Sequence, residues 1–501
     1  MILLWLILIP FIAGILAWAV ARNNAAAARV LSVGAMAIDL ALSIGLWVRY
    51  TGQVAFSSGH TWLAEVSWTW IPQFGIRFHL ALDGLGLVMI ALTSFLGIIS
   101  VLASWHEIQT SIGFFHFNLL WVLSGVTGVF LSADLFLFYL FWELMLVPMY
   151  FLIAIWGSER KIYAAIKFFL FTQISGLLML VAILTLAIQH NASTGSYSFA
   201  YEDLMSNALS PGMATLLMLG FFAAFAVKLP VVPFHTWLPD AHTEAPTAGS
   251  VVLAGLLLKT GAFGMLRFVL PLFPGPSREL GSLMMGLGVA GILYGAILAF
   301  AQTDLKRMVA YTSVSHMGFV LLGIFSGNEI ALEGALVQMV SHGLSTGALF
   351  VLAGSLKDRL HTRELNSMGG LWDTIPMLSG SGLFFAMASV GLPGLGDFVG
   401  EFMVLLGTYR TAPLMAILAA LGMIAGAIYG LRMVQKALLG PNLRNLKLHD
   451  ARWSERLIFG SMMVGLLWIG IYPRPVLNLV QPALGPLANA RDSVSAVLAR
   501  R

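Results

Sequence analysis

The sequence predicts an all-α, polytopic membrane protein of about 14 transmembrane helices, organised as one domain over residues 1–501. Three observations carry that prediction. Hydrophobic residues make up 59% of the chain and charged residues only 10%, with a mean hydropathy of +0.88, far outside the soluble range. Apolar stretches of bilayer-spanning length follow one another to the end of the chain with short connections between them. Lysine and arginine are distributed unevenly among those connections.

The spans fall at about 2–20, 28–48, 78–104, 113–131, 134–156, 163–189, 212–238, 246–271, 280–301, 305–325, 330–356, 376–406, 412–438 and 456–472. Span 1 carries a cleavage-like Ala17-Trp18-Ala19, but no positive charge precedes it, while Arg22 and Arg29 follow it. A signal peptide has the reverse order, so the first helix is expected to be retained with its N-terminus outside.

Of the 27 lysines and arginines, 15 lie after odd-numbered spans, 5 after even-numbered spans and 4 in the tail (Arg474, Arg491, Arg500 and Arg501). The odd connections therefore face the cytoplasm and both termini the opposite side. A pI near 9.3 needs no nucleic-acid partner, since this bias accounts for the basic residues. Without cysteine there is no disulfide, thiolate-held iron–sulfur cluster or structural zinc.

Three cations remain inside spans: Lys228, Lys259 and Arg432. Asp39, Glu143 and Glu401 are the acids within apolar runs, with Asp397 close to the last. A charge at the centre of a span costs roughly 2.5–3.5 kcal/mol on insertion scales, so such residues are rare and usually functional. Lys228 opens Lys228-Leu-Pro-Val-Val-Pro-Phe-His-Thr-Trp-Leu-Pro-Asp-Ala-His242, whose three prolines break span 7. Irregular backbone at that depth survives only against protein or a watered cavity.

Val390-Gly-Leu-Pro-Gly-Leu-Gly-Asp-Phe398 breaks span 12 in the same way, and Asp134 and Asp304 open spans 5 and 10. Paired interruptions point to a transport path built from related units. Spans 4–8 (111–272) and 9–13 (279–440) would be those units, following N-terminal helices 1–3 (1–110) and preceding a last helix and tail (441–501). Five spans in each unit makes the second inverted relative to the first.

Glu143, Lys228, Lys259 and Glu401 all fall near mid-bilayer depth, where a proton relay would need them. His316 and His342, set among Thr312, Ser313, Ser315, Ser341, Ser345 and Thr346, suit a link between lysines, because imidazole both accepts and donates near neutral pH. The structural alternative is a set of static pairs holding helices together. His235 and His242 are seven residues apart, which is not a metal-ligand spacing. Gly286-Leu-Gly-Val-Ala-Gly291 matches a dinucleotide motif, yet no strand precedes it, so its glycines mean close helix packing. Trp68, Trp70, Trp105, Trp142, Trp156 and Trp372 are expected as interfacial anchors.

Phe141-Trp-Glu-Leu-Met-Leu-Val-Pro-Met-Tyr150, the 227–242 stretch, Leu257-Leu-Lys-Thr260, Ala310-Tyr-Thr-Ser-Val-Ser-His-Met-Gly318 and Gly400-Glu-Phe402 resemble the antiporter-like subunits of bacterial respiratory complex I, the proton-translocating NADH–quinone oxidoreductase. The resemblance covers essentially the whole chain. It implies 14 core helices with two inverted five-helix repeats, each containing a broken helix. Glu143 and Lys228 would form an ion pair, Lys259 the central relay, His316 with His342 the link, and Glu401 the terminal residue.

By the same resemblance the chain is a subunit of an enzyme, NADH:ubiquinone reductase, and carries no cofactor itself. Flavin, iron–sulfur clusters and quinone belong to partner subunits. The expected partners are other membrane-arm subunits, above all the neighbouring antiporter-like subunits L and N, and the lipid of a bacterial inner membrane, with both termini periplasmic. The alternative is a subunit of a multi-subunit sodium/proton antiporter or of a membrane-bound hydrogenase.

Overall fold

Thirteen helices among the described residues are long and apolar enough to cross a membrane. A fourteenth crossing is a broken pair of shorter helices, which gives the expected number. The computed structural model describes residues 1–51, 62–442 and 446–498, with side chains to residue 487. Arg444, Arg500 and Arg501 and the side chain of Arg491, all used in the charge count, lie outside the described parts.

The chain begins with α1 (Ile2–Val20) and α2 (Ala25–Thr51). A β-hairpin follows, with β1 (Ala64–Ile71) antiparallel to β2 (Ile76–Leu82) and Trp68 opposite Phe78. Gly75 turns it at φ +66°, a conformation that costs glycine nothing. Span 3 had been expected to start at 78. Those residues are strand, and helix α3 (Gly84–Glu107) starts where Asp83 caps it by accepting from Gly86 N at 2.9 Å.

Next come α4 (Ile112–Leu131), α5 (Leu135–Leu144), α6 (Leu146–Trp156), α7 (Lys161–Thr194) and the short α8 (Tyr201–Met205). Spans 5 and 7 are both interrupted. Met145 separates α5 from α6, and residues 229–236 separate α9 (Pro211–Lys228) from α10 (Trp237–Glu244). Span 8, α11 (Thr247–Leu272), contains two π-helical stretches, Leu253–Leu257 and Met265–Val269.

The second half runs through α12 (Gly281–Ala301), α13 (Leu305–Phe325), α14 (Glu329–Leu360), α15 (Pro376–Ser389), α16 (Gly396–Thr411) and α17 (Pro413–Leu438). Residues 390–395 form the break of span 12. After α18 (Trp453–Ile471) the expected tail is a helix, α19 (Arg474–Leu498), despite its two internal prolines. It buries Val476, Leu479, Val480 and Leu484 and lies against α3 and α14.

The bundle has two unlike ends. At the hairpin end, Arg267 pairs with Asp83 and stacks its guanidinium 5.0 Å from the Trp62 ring. Arg267 belongs to the second π stretch of α11. At the basic end, Asp240 on α10 accepts from Lys167 at 2.7 Å and Arg307 at 3.2 Å, and Arg363 pairs with Asp304 at 3.0 Å. Lys306 is buried in the first turn of α13 with its ammonium on Ala245 O.

Asp134 and Asp304 make matching bonds at opposite ends. Each caps the following helix, and each forms an antiparallel bridge, to Ala200 and Glu364 respectively. The helices packed in the centre are α11, α13 and α14, whose most apolar windows are 100%, 94% and 100% buried. Both breaks are partly open at the outer surface. Leu392 is 48% and Phe234 42% exposed, and Pro233, Pro393 and Gly394 are exposed beside them.

Candidate functional site

Three of the six expected site residues, Lys259, His316 and His342, sit on the three central helices α11, α13 and α14. None of them faces the outer surface, since Lys259 and His342 are 0% and His316 is 3% exposed. A buried charge is costly unless partnered, and each of these side chains has partners.

Lys259 lies between the two π stretches of α11. Its Nζ donates to Ala254 O at 2.5 Å and lies 2.6 Å from Nδ1 of His342. A π turn opens the regular carbonyl ladder, and such turns occur frequently at functional sites. With Lys259 as an ammonium, His342 accepts at Nδ1 and keeps its proton on Nε2, an atom with no partner. The His342 and His316 rings stand edge to face with centroids 5.5 Å apart.

His316 continues the line. Its Nδ1 lies 2.7 Å from Glu401 Oε1, and its Nε2 lies 3.0 Å from Ser389 Oγ and 3.5 Å from the Tyr429 hydroxyl. Gln338 Nε2 donates to Glu401 Oε1 at 3.2 Å. Glu401 is on the second half of the broken span 12, and a Cβ added at Gly391, in the break, would lie 3.4 Å from its Oε2. Gly391 has φ +82°, a conformation in which a side chain would be strained. Lys259, His342, His316 and Glu401 thus form one line of short contacts, open only at the step between the two rings.

Glu143 and Lys228 are arranged differently. Among the described residues no salt bridge joins them, and Glu143 Oε1 and Lys228 Nζ each lack a hydrogen-bond partner. They act on one another only through their charges. The expected ion pair is therefore not a contact pair in this structure. Lys228, 0% exposed, instead holds its ammonium 5.1 Å from the Trp142 ring and 5.7 Å from the Phe168 ring. Desolvated cation–π contacts are worth about 2 kcal/mol, so the rings stabilise the charge where no acceptor reaches it. Trp142 is accordingly no interfacial anchor but a fully buried side chain beside the lysine. Glu143, half-buried, lies against Gly176 of α7, where any side chain would run into its carboxylate.

Several participants were not singled out as site residues from the sequence. Asp397 is fully buried, accepts from Ser345 Oγ at 2.9 Å and leaves Oδ2 bare. Gln338, Ser389 and Tyr429 become legible only once three helices converge on His316. Bare polar atoms on Ser341, Thr346, Asp397 and His342 concentrate in the same region. That density suits a watered interior, since buried polar groups are normally satisfied. His235 stands edge-on to Tyr294, and among the described residues no group of side chains could hold a metal ion.

Comparison with known proteins agrees with this architecture. The sequence profile of the NADH:quinone oxidoreductase/Mrp antiporter transmembrane family matches residues 132–428. The chain is 53% identical over 487 residues to NADH-quinone oxidoreductase subunit M of Pseudomonas aeruginosa, covering 96% of each. It is 50% identical over 494 residues to the subunit M of Escherichia coli K12, covering 97% of each. A chain of respiratory complex I from Thermus thermophilus with bound NADH superposes with a TM-score of 0.88 at 31% identity, over 98% of this chain and 100% of that one. The resemblance read from the span 5, 7, 8, 10 and 12 motifs is thus borne out along the whole sequence, and the chain belongs to the NADH:quinone oxidoreductase/Mrp antiporter family.

Proposed function

We propose that this chain is a proton-translocating subunit in the membrane arm of an NADH–quinone oxidoreductase, of the subunit M type. It moves protons while quinone is reduced elsewhere in the complex. The observation that carries the reading is the line Lys259–His342–His316–Glu401, in which consecutive groups can each give and take a proton. The family profile covers antiporter subunits as well, but relatives 50–53% identical over nearly the full length favour the oxidoreductase.

Proton bookkeeping along the line is simple. The Lys259 ammonium gives its proton to His342 Nδ1, the Nε2 proton of His342 passes to the His316 side, and His316 Nδ1–H discharges onto Glu401. Glu143 supplies the signal. As its carboxylate approaches or leaves Lys228, the balance between ammonium and amine on Lys228 shifts, because a nearby carboxylate favours the charged form and desolvation the neutral one.

The finer assignments belong to the same proposal. Residues 111–272 and 279–440 are two inverted units, which the matching bonds of Asp134 and Asp304 at opposite ends support. The basic end is cytoplasmic and both termini periplasmic, in keeping with the placement of lysine and arginine. The neighbours are the antiporter-like subunits L and N, and flavin, iron–sulfur clusters and quinone reside in partner subunits.

The deciding experiment is Glu143→Ala in the intact complex, with NADH oxidation and proton pumping measured together. The variant is expected to lose most pumping and the oxidation coupled to it. Normal pumping would overturn the assignment.

A further inference from the structure

We propose that protons reach the buried line from the basic end through an uptake port built of Glu107, Lys306 and His242, with His242 as its innermost carrier. The inference rests on the relay reading above and adds the route by which that relay is loaded.

His242 is the buried titratable group nearest the relay on its basic side that the relay leaves unused. It is 0% exposed, its ring is stacked on Phe350 at a centroid distance of 4.5 Å and 7° between planes, and neither ring nitrogen has a partner. A histidine kept only for packing would be served as well by phenylalanine. Leaving a buried donor or acceptor unsatisfied is costly, so two bare nitrogens are better explained by transient water and proton traffic.

Its carbonyl accepts from Ser250 Oγ at 3.1 Å, one turn of α11 before Ala254 O on which Lys259 sits, and Ala245 O, which holds Lys306, lies three residues beyond His242. It therefore stands between the basic end and the first member of the line. Lys306 is 5% exposed and seats its ammonium on Ala245 O, just beyond the end of α10. The charged groups facing it are Glu107, Arg363, Lys357 and Asp304.

Glu107 ends α3, accepts from the backbone N of Thr247 at 3.0 Å, and lines a small surface cavity with His106, Asp358 and Arg452. The sequence of groups from water inward is thus Glu107, Lys306, His242, Lys259. Glu107 collects the proton. Lys306, seated on Ala245 O, takes that proton as an ammonium, hands it to His242 and stays an amine until Glu107 reloads it.

The test uses the intact complex in inverted membrane vesicles, which expose the basic end, with assembly confirmed by native electrophoresis. Glu107→Gln, His242→Ala and His242→Phe are each expected to lower pumping at least about tenfold, the low edge of what a positioned proton carrier contributes. External imidazole should restore His242→Ala but not His242→Phe, because only the alanine variant leaves room for it. Full pumping by His242→Phe or by Glu107→Gln, with Lys259→Ala inactive, would overturn the port and leave the relay standing. Full pumping by Lys259→Ala would mean that the relay reading itself had failed.

Discussion

The two halves of the buried line differ in how their charges are held. In the second half, Lys259, His342, His316 and Glu401 reach one another through contacts of 2.6 and 2.7 Å and a ring pair 5.5 Å apart. In the first half, Lys228 rests on aromatic rings, and Glu143 lies beside Gly176 with no hydrogen bond to the lysine. The difference teaches where a signal can act. A joined line conducts but has little left to switch, whereas a divided pair has a gap whose width sets the charge on the lysine.

The most severe break in that comparison is Lys259→Ala, which removes the contact to His342. Pumping should fall by about 10²-fold or more, the scale of one lost proton carrier, and Lys259→Arg should not restore it, since arginine does not deprotonate. Coupled NADH oxidation and dye-reported pumping measure this. On the divided side, Gly176→Leu should push the Glu143 carboxylate off its seat and cut pumping about tenfold, while overpacking costs about 1–3 kcal/mol of stability. Wild-type pumping by Gly176→Leu would show that the position of Glu143 does not matter.

Gln338→Leu takes one donor from Glu401 and should slow pumping severalfold without abolishing it, because His316 remains in place. Tyr429→Phe loses the 3.5 Å contact to His316 and a bond to Ser389 but leaves His316 on Ser389 and Glu401, so pumping should stay within about twofold. A large loss in Tyr429→Phe would place the proton route through the phenol.

The smallest effect is expected away from the line. Asp450 caps α15, accepting from the backbone N–H groups of Met377 and Leu378 and from that of Ala451. Burial pushes its carboxyl up, but these donors and Arg359 outweigh burial and hold it below the usual carboxylate range. A depressed carboxyl stabilises above its ordinary pKa near 4, and that contribution is lost as pH falls through the folded value. Asp450→Asn should cost about 1 kcal/mol in thermal stability near neutral pH and flatten the acid-side loss, with pumping unchanged.

Much of this was legible in the sequence because lipid forbids most alternatives. Long apolar runs and prolines at 230, 233 and 393 leave little choice but spanning helices with two breaks. The hairpin was harder to see because Phe78 to Leu82 is as apolar as the helix that follows. The stop lay in Asp83, an N-cap residue read as part of the span. Trp142 carries a related ambiguity. A tryptophan near a span end suggests the interface, but one residue before a half-buried glutamate it can also serve a lysine on another helix. Tail helix α19 was hidden by Pro482 and Pro486, which weaken a helix that packing against α3 and α14 supports. Ser389, Glu401 and Tyr429 reach His316 from 73 to 113 positions away, a convergence that no local pattern encodes.

The outer openings of the two breaks have one more consequence. At residues 233–234 and 392–394 the chain turns irregular backbone outward, with Phe234 N held on Val231 O and Leu392 N on Met387 O but without the continuous carbonyl ladder of a helix that lipid demands. Fatty acyl chains are a poor neighbour for such a surface, so a solitary copy dispersed in a bilayer would be an unfinished object. Solubility in the membrane, and with it lifetime against proteolysis, then becomes a property of the assembled arm rather than of this polypeptide.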